Sequence, residues 1–161
     1  DEGNSVRTFD GRMGWMAGPD TPVPRVVLTS GNLDRARLEA LAAFPTGLPQ
    51  AYAAWRVGRA VLNDEEDVVL QASENGQPVL NLYFAPSGLL VRLVRWTPTP
   101  VGMVPTQVDY SDFRDVAGVK LAFHRRVSQT YMRMDVELSD IQPNVAINAA
   151  LFAMPAPGAK K

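Results

Sequence analysis

Apolar and polar positions alternate with a period of two through most of the chain between Pro78 and Leu138, the mark of strands with one buried face. Met132, Met134, Val136 and Leu138 fall on one side of the last such run, and Arg133, Asp135, Glu137 and Ser139 on the other. Val119, Leu121, Phe123 and Val127 separate in the same way from Lys120, His124, Arg126 and Ser128. The run Leu89–Trp96 is apolar on both faces except at Arg92 and Arg95, so it needs cover on both sides. Short breaks divide these runs: Pro86-Ser87-Gly88, then Asp115-Val116-Ala117-Gly118. The pattern predicts an antiparallel meander of about five strands, with Thr106–Phe113, Val119–Thr130 and Met132–Ile141 as its last three.

Towards the N-terminus the pattern is shorter in wavelength and more often interrupted. Ser5–Asp10 and Arg12–Met16 read as strands joined at Asp10-Gly11, with Arg25–Thr29 pairing at an edge. Gly18–Pro24, carrying Pro19, Pro22 and Pro24, reads as a loop because prolines cannot donate to a ladder. Leu33, Arg37, Leu38 and Leu41 have helical spacing, which predicts an amphipathic helix over Leu33–Phe44, preceded by the capping residues Ser30-Gly31-Asn32 and stopped by Pro45. A second helical turn is predicted at Pro49–Trp55, where Tyr52 and Trp55 stand three apart. Both helices are expected to cover part of the sheet. Val57–Leu62 and Val68–Ser73 return to strand character around the charged turn Asn63–Asp67, and Asn75-Gly76 is the strongest hairpin signal. Asn144–Phe152 predicts a turn of helix capped by Asn148 that docks Phe152.

Composition narrows the classes of function. At 161 residues, with 46% hydrophobic and 20% charged positions, the chain is long enough to fold around a core of its own. A net charge of −1 and the absence of a basic stripe argue against nucleic acid as a partner. With no cysteine there is no Cys-X-X-Cys-His haem attachment, disulfide or thiolate ligand, so no cofactor is expected in this chain. The opening Asp1-Glu2-Gly3-Asn4 lacks an initiator Met, and reads as processed or excised from something longer.

Candidate chemistry is sparse. His124 is the sole histidine and cannot build a metal site without other ligands of its kind. A Ser-His-Asp set can be assembled from Ser128, His124 and Asp112, but no Gly-X-Ser-X-Gly elbow presents the serine. The hydrolase reading therefore turns on whether His124 lies within hydrogen-bond reach of a serine, and the expectation is that the chain is not an enzyme. Asp64-Glu65-Glu66-Asp67 lacks calcium-loop spacing, and Asp109, Asp112 and Asp115 are poorly placed to act together.

Four motifs in succession carry a resemblance. Phe9-Asp10-Gly11-Arg12-Met13-Gly14-Trp15, Leu82-Tyr83-Phe84 with Ser87-Gly88-Leu89-Leu90-Val91-Arg92, Asp109 through Lys120, and Asn144-Val145 through Phe152-Ala153-Met154-Pro155 together resemble the LolA-like outer-membrane lipoprotein carrier superfamily. Within it they are most similar to the domains fused to acidobacterial c-type cytochromes of the photosynthetic reaction-centre subunit type. The match spans nearly the whole chain. It departs at Ala85, Ala122, Ala146 and Asn148, where the family usually has Asp, Pro, Pro and Asp, and the family's N-terminal helix and first strands are not seen ahead of Asp1.

The resemblance implies a mainly β fold with a few helices: an unclosed antiparallel half-barrel with a helical lid, one domain over 1–155 and a disordered tail over 156–161. It implies a periplasmic or otherwise extracytoplasmic, non-enzymatic domain whose concave groove holds a lipid, an acyl chain or another apolar molecule. Trp15, Trp55, Tyr83, Trp96, Phe123, Met132 and Met134 are the candidate lining, methionine being adaptable to irregular apolar ligands. The alternative is a ligand-free interaction module, associated with a c-type cytochrome in electron transfer or self-associating by strand addition at an open sheet edge.

Overall fold

A computed structural model describes residues 5–18, 23, 25–43 and 47–153. The chain divides into two compact units, one of Asp1–Leu48 with Ala146–Lys161 and one of Pro49–Val145. Most of the predicted loop at Gly18–Pro24, and the tail beyond Ala153, lie outside the described residues.

The first unit holds strands β1 (Val6–Phe9), β2 (Gly14–Ala17) and β3 (Val26–Val27), paired antiparallel in that order, and helix α1 (Ser30–Ala43). The β1–β2 turn is fixed by Asp10, whose Oδ1 accepts from the backbone N–H groups of Arg12 at 2.8 Å and Met13 at 2.7 Å. These amides, Met13's foremost, hold the Asp10 carboxyl below its ordinary range, and Gly11 supplies the positive φ of 98° that the turn needs. Ala36 and Leu38 are buried in α1, and Glu39 accepts hydrogen bonds from Arg35 one turn back and from Arg7 on β1. The C-terminal turn is as expected: Asn148 caps a short 3-10 helix over Ala149–Leu151, its Oδ1 accepting from Ala150 N at 2.9 Å. Phe152, 36% exposed, does not dock by its ring; its carbonyl accepts from the indole Nε1 of Trp15 at 3.0 Å.

The second unit is an unclosed meander of seven antiparallel strands: β4 (Ala54–Leu62), β5 (Glu65–Glu74), β6 (Gln77–Phe84), β7 (Leu90–Thr99), β8 (Gly102–Val116), β9 (Val119–Gln129) and β10 (Arg133–Glu137). Its hairpins follow the turn chemistry of the sequence. Asn75-Gly76 and Ala117-Gly118 both take positive φ, as a two-residue turn matched to strand twist requires.

The register makes two adjacent rows that run across the whole sheet. Val57, Leu70, Leu82, Leu93, Val108, Val127 and Met134 lie side by side on one face, one apolar residue from each strand. One position along, on the opposite face, run Gly58, Val69, Tyr83, Arg92, Asp109, Arg126 and Asp135, and the last four alternate in charge. Like the pattern in sequence, the sheet has an apolar and a polar face. Leu80, Leu82, Leu93 and Val127 are buried on the apolar one.

Three expectations are corrected. Among the described residues α1 is the only α-helix; Pro49–Trp55 forms no helix, and Trp55 lies in β4. The three-residue spacing of Tyr52 and Trp55 serves an edge-to-face ring pair, with centroids 5.5 Å apart, while Trp55 Nε1 donates to the Pro49 carbonyl at 3.1 Å. The charged turn is also shorter than Asn63–Asp67. Asn63 and Asp64 make it alone, and Asp67 is drawn into β5 opposite Ala60, only 2% exposed, with Oδ2 lacking a hydrogen-bond partner. The last strand ends at Glu137 rather than Ile141.

β7 and β8 run further than predicted, through Pro98 and Pro105. The pairing of β7 with β6 ends at Arg95, and that of β8 with β9 ends at Thr106. Residues 96–105 therefore pair only with each other, as a two-stranded ribbon in which a proline's missing N–H can face the side with no neighbouring strand.

Candidate functional site

Six of the seven candidate lining residues fall in the second unit, on both faces of its sheet. Trp15 belongs to β2 of the first unit. In the second unit, alternation from the paired rows puts Trp55, Phe123 and Met134 on the apolar face, and Tyr83 and Trp96 on the polar one. Met132 precedes β10, and its carbonyl accepts from Gln129 N at 2.8 Å. Trp55 and Phe123 share a face but stand five strands apart, roughly 24 Å at the usual interstrand spacing. Phe123 lines a depression of about 510 Å³ bounded also by Asp112, Arg114, His124, Glu137, Leu138 and Ser139.

This depression is mostly polar. Arg114 stacks over the Phe123 ring at 4.3 Å and is held there by Asp112, its Nε bonding Oδ1 at 3.1 Å and its Nη2 bonding Oδ2 at 2.5 Å. The pairing keeps the Asp112 carboxyl below its usual range and the Arg114 guanidinium above its own. Asp112 reaches this position with φ of +52° inside β8, a conformation that Asp tolerates better than most residues.

Along the polar face the charges are joined. Arg92 Nε bonds Asp109 Oδ1 at 2.5 Å, and Asp109 Oδ2 also accepts from Gln107 at 2.7 Å. Asp135 Oδ1 accepts from Arg126 Nε at 2.9 Å and lies 2.9 Å from His124 Nε2. His124 Nδ1 is 2.8 Å from Ser111 Oγ. A serine, a histidine and an aspartate are thus in hydrogen-bond contact. They are not the set assembled from sequence: Ser128 pairs across from Gln107 and Arg133, and Asp112 is bonded to Arg114. Ser111 stands directly opposite His124, and Asp135 comes from the diagonal position on β10.

Asp135 is held below the ordinary carboxylate value of 3.8, chiefly by Arg126 and then by His124. Its contribution to stability is therefore complete above its unfolded value and lost as pH falls through the lower folded one. The Asp135→Asn variant is expected to match the parent's urea midpoint more closely at about pH 3 than at neutral pH; a difference independent of pH would show that Asp135 does not act through its charge.

Two other features bear on function. Among the described residues β4 closes one end of the strand order with no strand paired beyond it, and Val57 and Val61 on it are 76% and 71% exposed. Gly58, at its centre, is exposed, so the main chain itself is open there. Among the described residues no group of three or more His, Cys, Asp or Glu could hold a metal ion, and no helix is long and apolar enough to cross a membrane. Set against protein-family models, curated proteins and solved structures, the chain matches none.

Proposed function

We propose that this chain is an assembly module that associates with a second copy of itself through the β4 edge. The observation that carries the reading is the edge: nine residues long, without proline, and exposed at Val57, Gly58 and Val61. Natural edges of this length are usually blunted by charge, bulges or proline. The opposite edge, β10, is blunted, with five residues of which Arg133, Asp135 and Glu137 are charged. An antiparallel register centred on Gly58 pairs all nine residues of β4 with the partner's. It sets Trp55 across from the partner's Val61, and Arg56 across from the partner's Ala60. Val57 meets the partner's Arg59, so no arginine faces an arginine. Arg59 is already neutralised by Glu66 at 2.7 Å, and its methylene stem can cover the valine.

The LolA-like resemblance supports an extracytoplasmic setting and a c-type cytochrome as a further partner. A second reading, a groove for a lipid or acyl chain, draws its support from the unbroken apolar row Leu70–Met134. Native mass spectrometry followed by denaturing extraction separates the two. Self-association predicts a lipid-free dimer that Val57→Lys with Val61→Lys weakens at least about tenfold by setting charges on the edge. A monomer carrying a co-purified acyl species overturns it in favour of the groove, and an empty monomer overturns it outright.

A further inference from the structure

We propose that Arg56 of each copy reaches across the joined β4 edges to the buried carboxyl group of Asp67 in the other, an inference that rests on the self-association put forward above and says what selects its register and partner. Asp67 is 2% exposed, and its Oδ2 lacks a hydrogen-bond partner. A buried carboxyl oxygen without a donor costs the fold free energy that an arriving donor would recover. Asp67 lies opposite Ala60, and the β4–β5 register runs unbroken from Ala54↔Ser73 to Leu62↔Glu65. Residues directly across from each other share a face, so Arg56, Gly58 and Ala60 on β4 stand on the same side of the sheet as Gln71, Val69 and Asp67 on β5.

Arg56 is the matching group. It is exposed, and among the described residues it forms no ion pair, whereas Arg59, the other arginine of the strand, is engaged by Glu66 on the opposite face. In the antiparallel register centred on Gly58, the partner's Arg56 falls across from Ala60, and Ala60 lies across from Asp67. The row therefore reads Asp67, Ala60, the partner's Arg56. Its ends are two strand spacings apart, roughly 9–10 Å, a span that an extended arginine and an aspartate cover between them. Ala60 contributes one methyl group along the way, and in the neighbouring row Gly58 faces the partner's Gly58 with no side chain at all. The path from the edge to Asp67 is thus bordered by the smallest residues of the strand.

The contact separates the Gly58-centred register from its neighbours. A slip of two residues either way keeps the faces but sets the partner's Ala54 or Gly58 across from Ala60, and neither has a side-chain donor. A slip of one residue carries the partner's Arg56 to the face away from Asp67. An arginine suits the task, being weakly hydrated and able to present a fork of donors to a carboxyl group. Asp67 is already out of water, so association desolvates one member of the pair rather than two. The two-fold axis makes the contact twice. A strand from another protein makes neither unless it carries a long donor two places from its centre, so the edge favours a second copy of this chain.

Analytical ultracentrifugation of the full chain gives the dimer dissociation constant for the parent, for Arg56→Met, which keeps the stem, and for Asp67→Asn, which keeps the shape. Each variant is expected to weaken the dimer at least about tenfold, and the double variant little further, because both remove the same contact. Arg56 is exposed, so its variant reads the interface whatever Asp67→Asn does to the fold. Arg56→Met and Asp67→Asn chains are then mixed in equal amounts and resolved by native mass spectrometry. The mixed dimer keeps one intact contact and sets the two altered groups against each other, so it should exceed the half share that random pairing gives; a role for either residue within its own chain would leave that share unmoved. A parent dimer that Arg56→Met does not weaken, or a mixed dimer at the random share, overturns this inference and leaves the β4 edge reading standing. A monomeric parent overturns both.

Discussion

Leu82→Ala is expected to lower the unfolding free energy of the seven-stranded unit by about 2–5 kcal/mol, a large share of the roughly 5–15 kcal/mol that holds a typical domain folded. Leu82 is 1% exposed and sits between Leu70 and Leu93 in the middle of the apolar row. Truncation removes three carbons from a site bounded by paired strands on both sides, and a hydrogen-bonded backbone has little freedom to collapse into the gap. Leu80, fully buried on the same face two residues earlier, should give a similar value, and the double variant should depart from additivity because the two share neighbours. Val57→Ala, at the exposed end of the same row, should stay within about 0.5 kcal/mol. Urea denaturation of the three single variants tests this. A cost below 1 kcal/mol for Leu82→Ala would mean that the apolar face is not a dry, packed interior.

Gly14→Ala carries the second large effect, and it should fall on the first unit. A methyl group at Gly14 would lie 2.4 Å from the carbonyl oxygen of Thr8 and 2.7 Å from Leu28 Cδ1. The leucine can rotate, but the carbonyl belongs to a strand paired with β2, and Leu28 N donates to the Gly14 carbonyl at 2.8 Å from the other side. The strands must therefore separate, at a cost of about 3 kcal/mol or more, at the upper end of what overpacking entails. Trp15 reports it directly: its buried indole donates to the Phe152 carbonyl, so its emission should shift to the red. Gly58→Ala is the control, because nothing lies within 4 Å of its added methyl group. If Gly14→Ala keeps the parent's emission and midpoint, the close approach of β1 to β2 is wrong.

The sequence was most legible where one local rule acted alone. Period-two alternation located the strands, and Asn75-Gly76 marked its hairpin because few residues accept positive φ in succession. It was less legible where two rules met. Pro98 and Pro105 read as strand ends, since a missing N–H is costly inside a sheet; they are tolerated because the flanking strands stop short of them. A bulge at Ala72/Ser73 decides which face Leu80 and Leu82 take, and no residue there announces it. Asp67 belongs to an acidic run that looks solvated, yet its position opposite Ala60 buries it.

The contact of Ser111 with His124 lay within reach of counting. With the turn narrowed to Ala117-Gly118, residues equidistant from it face each other, and Ser111 falls opposite His124. A four-residue turn at Asp115–Gly118 shifts that pairing by two places and sets His124 opposite Asp109 instead. Asp135 needed the register of a further strand, and nothing in its own neighbourhood of the chain points to it.

The two adjacent rows have a consequence for how the sheet is reached during folding. In any hairpin from β7 to β10, a slip of one residue would bring Arg92, Asp109, Arg126 or Asp135 into line with Leu93, Val108, Val127 or Met134. Each misaligned strand would bury a charge among leucines and valines and leave its former partner bare. Partly formed sheets with shifted strands are therefore high in energy from the second strand onward. The chain proofreads its own alignment as it folds, with no cysteine to lock it.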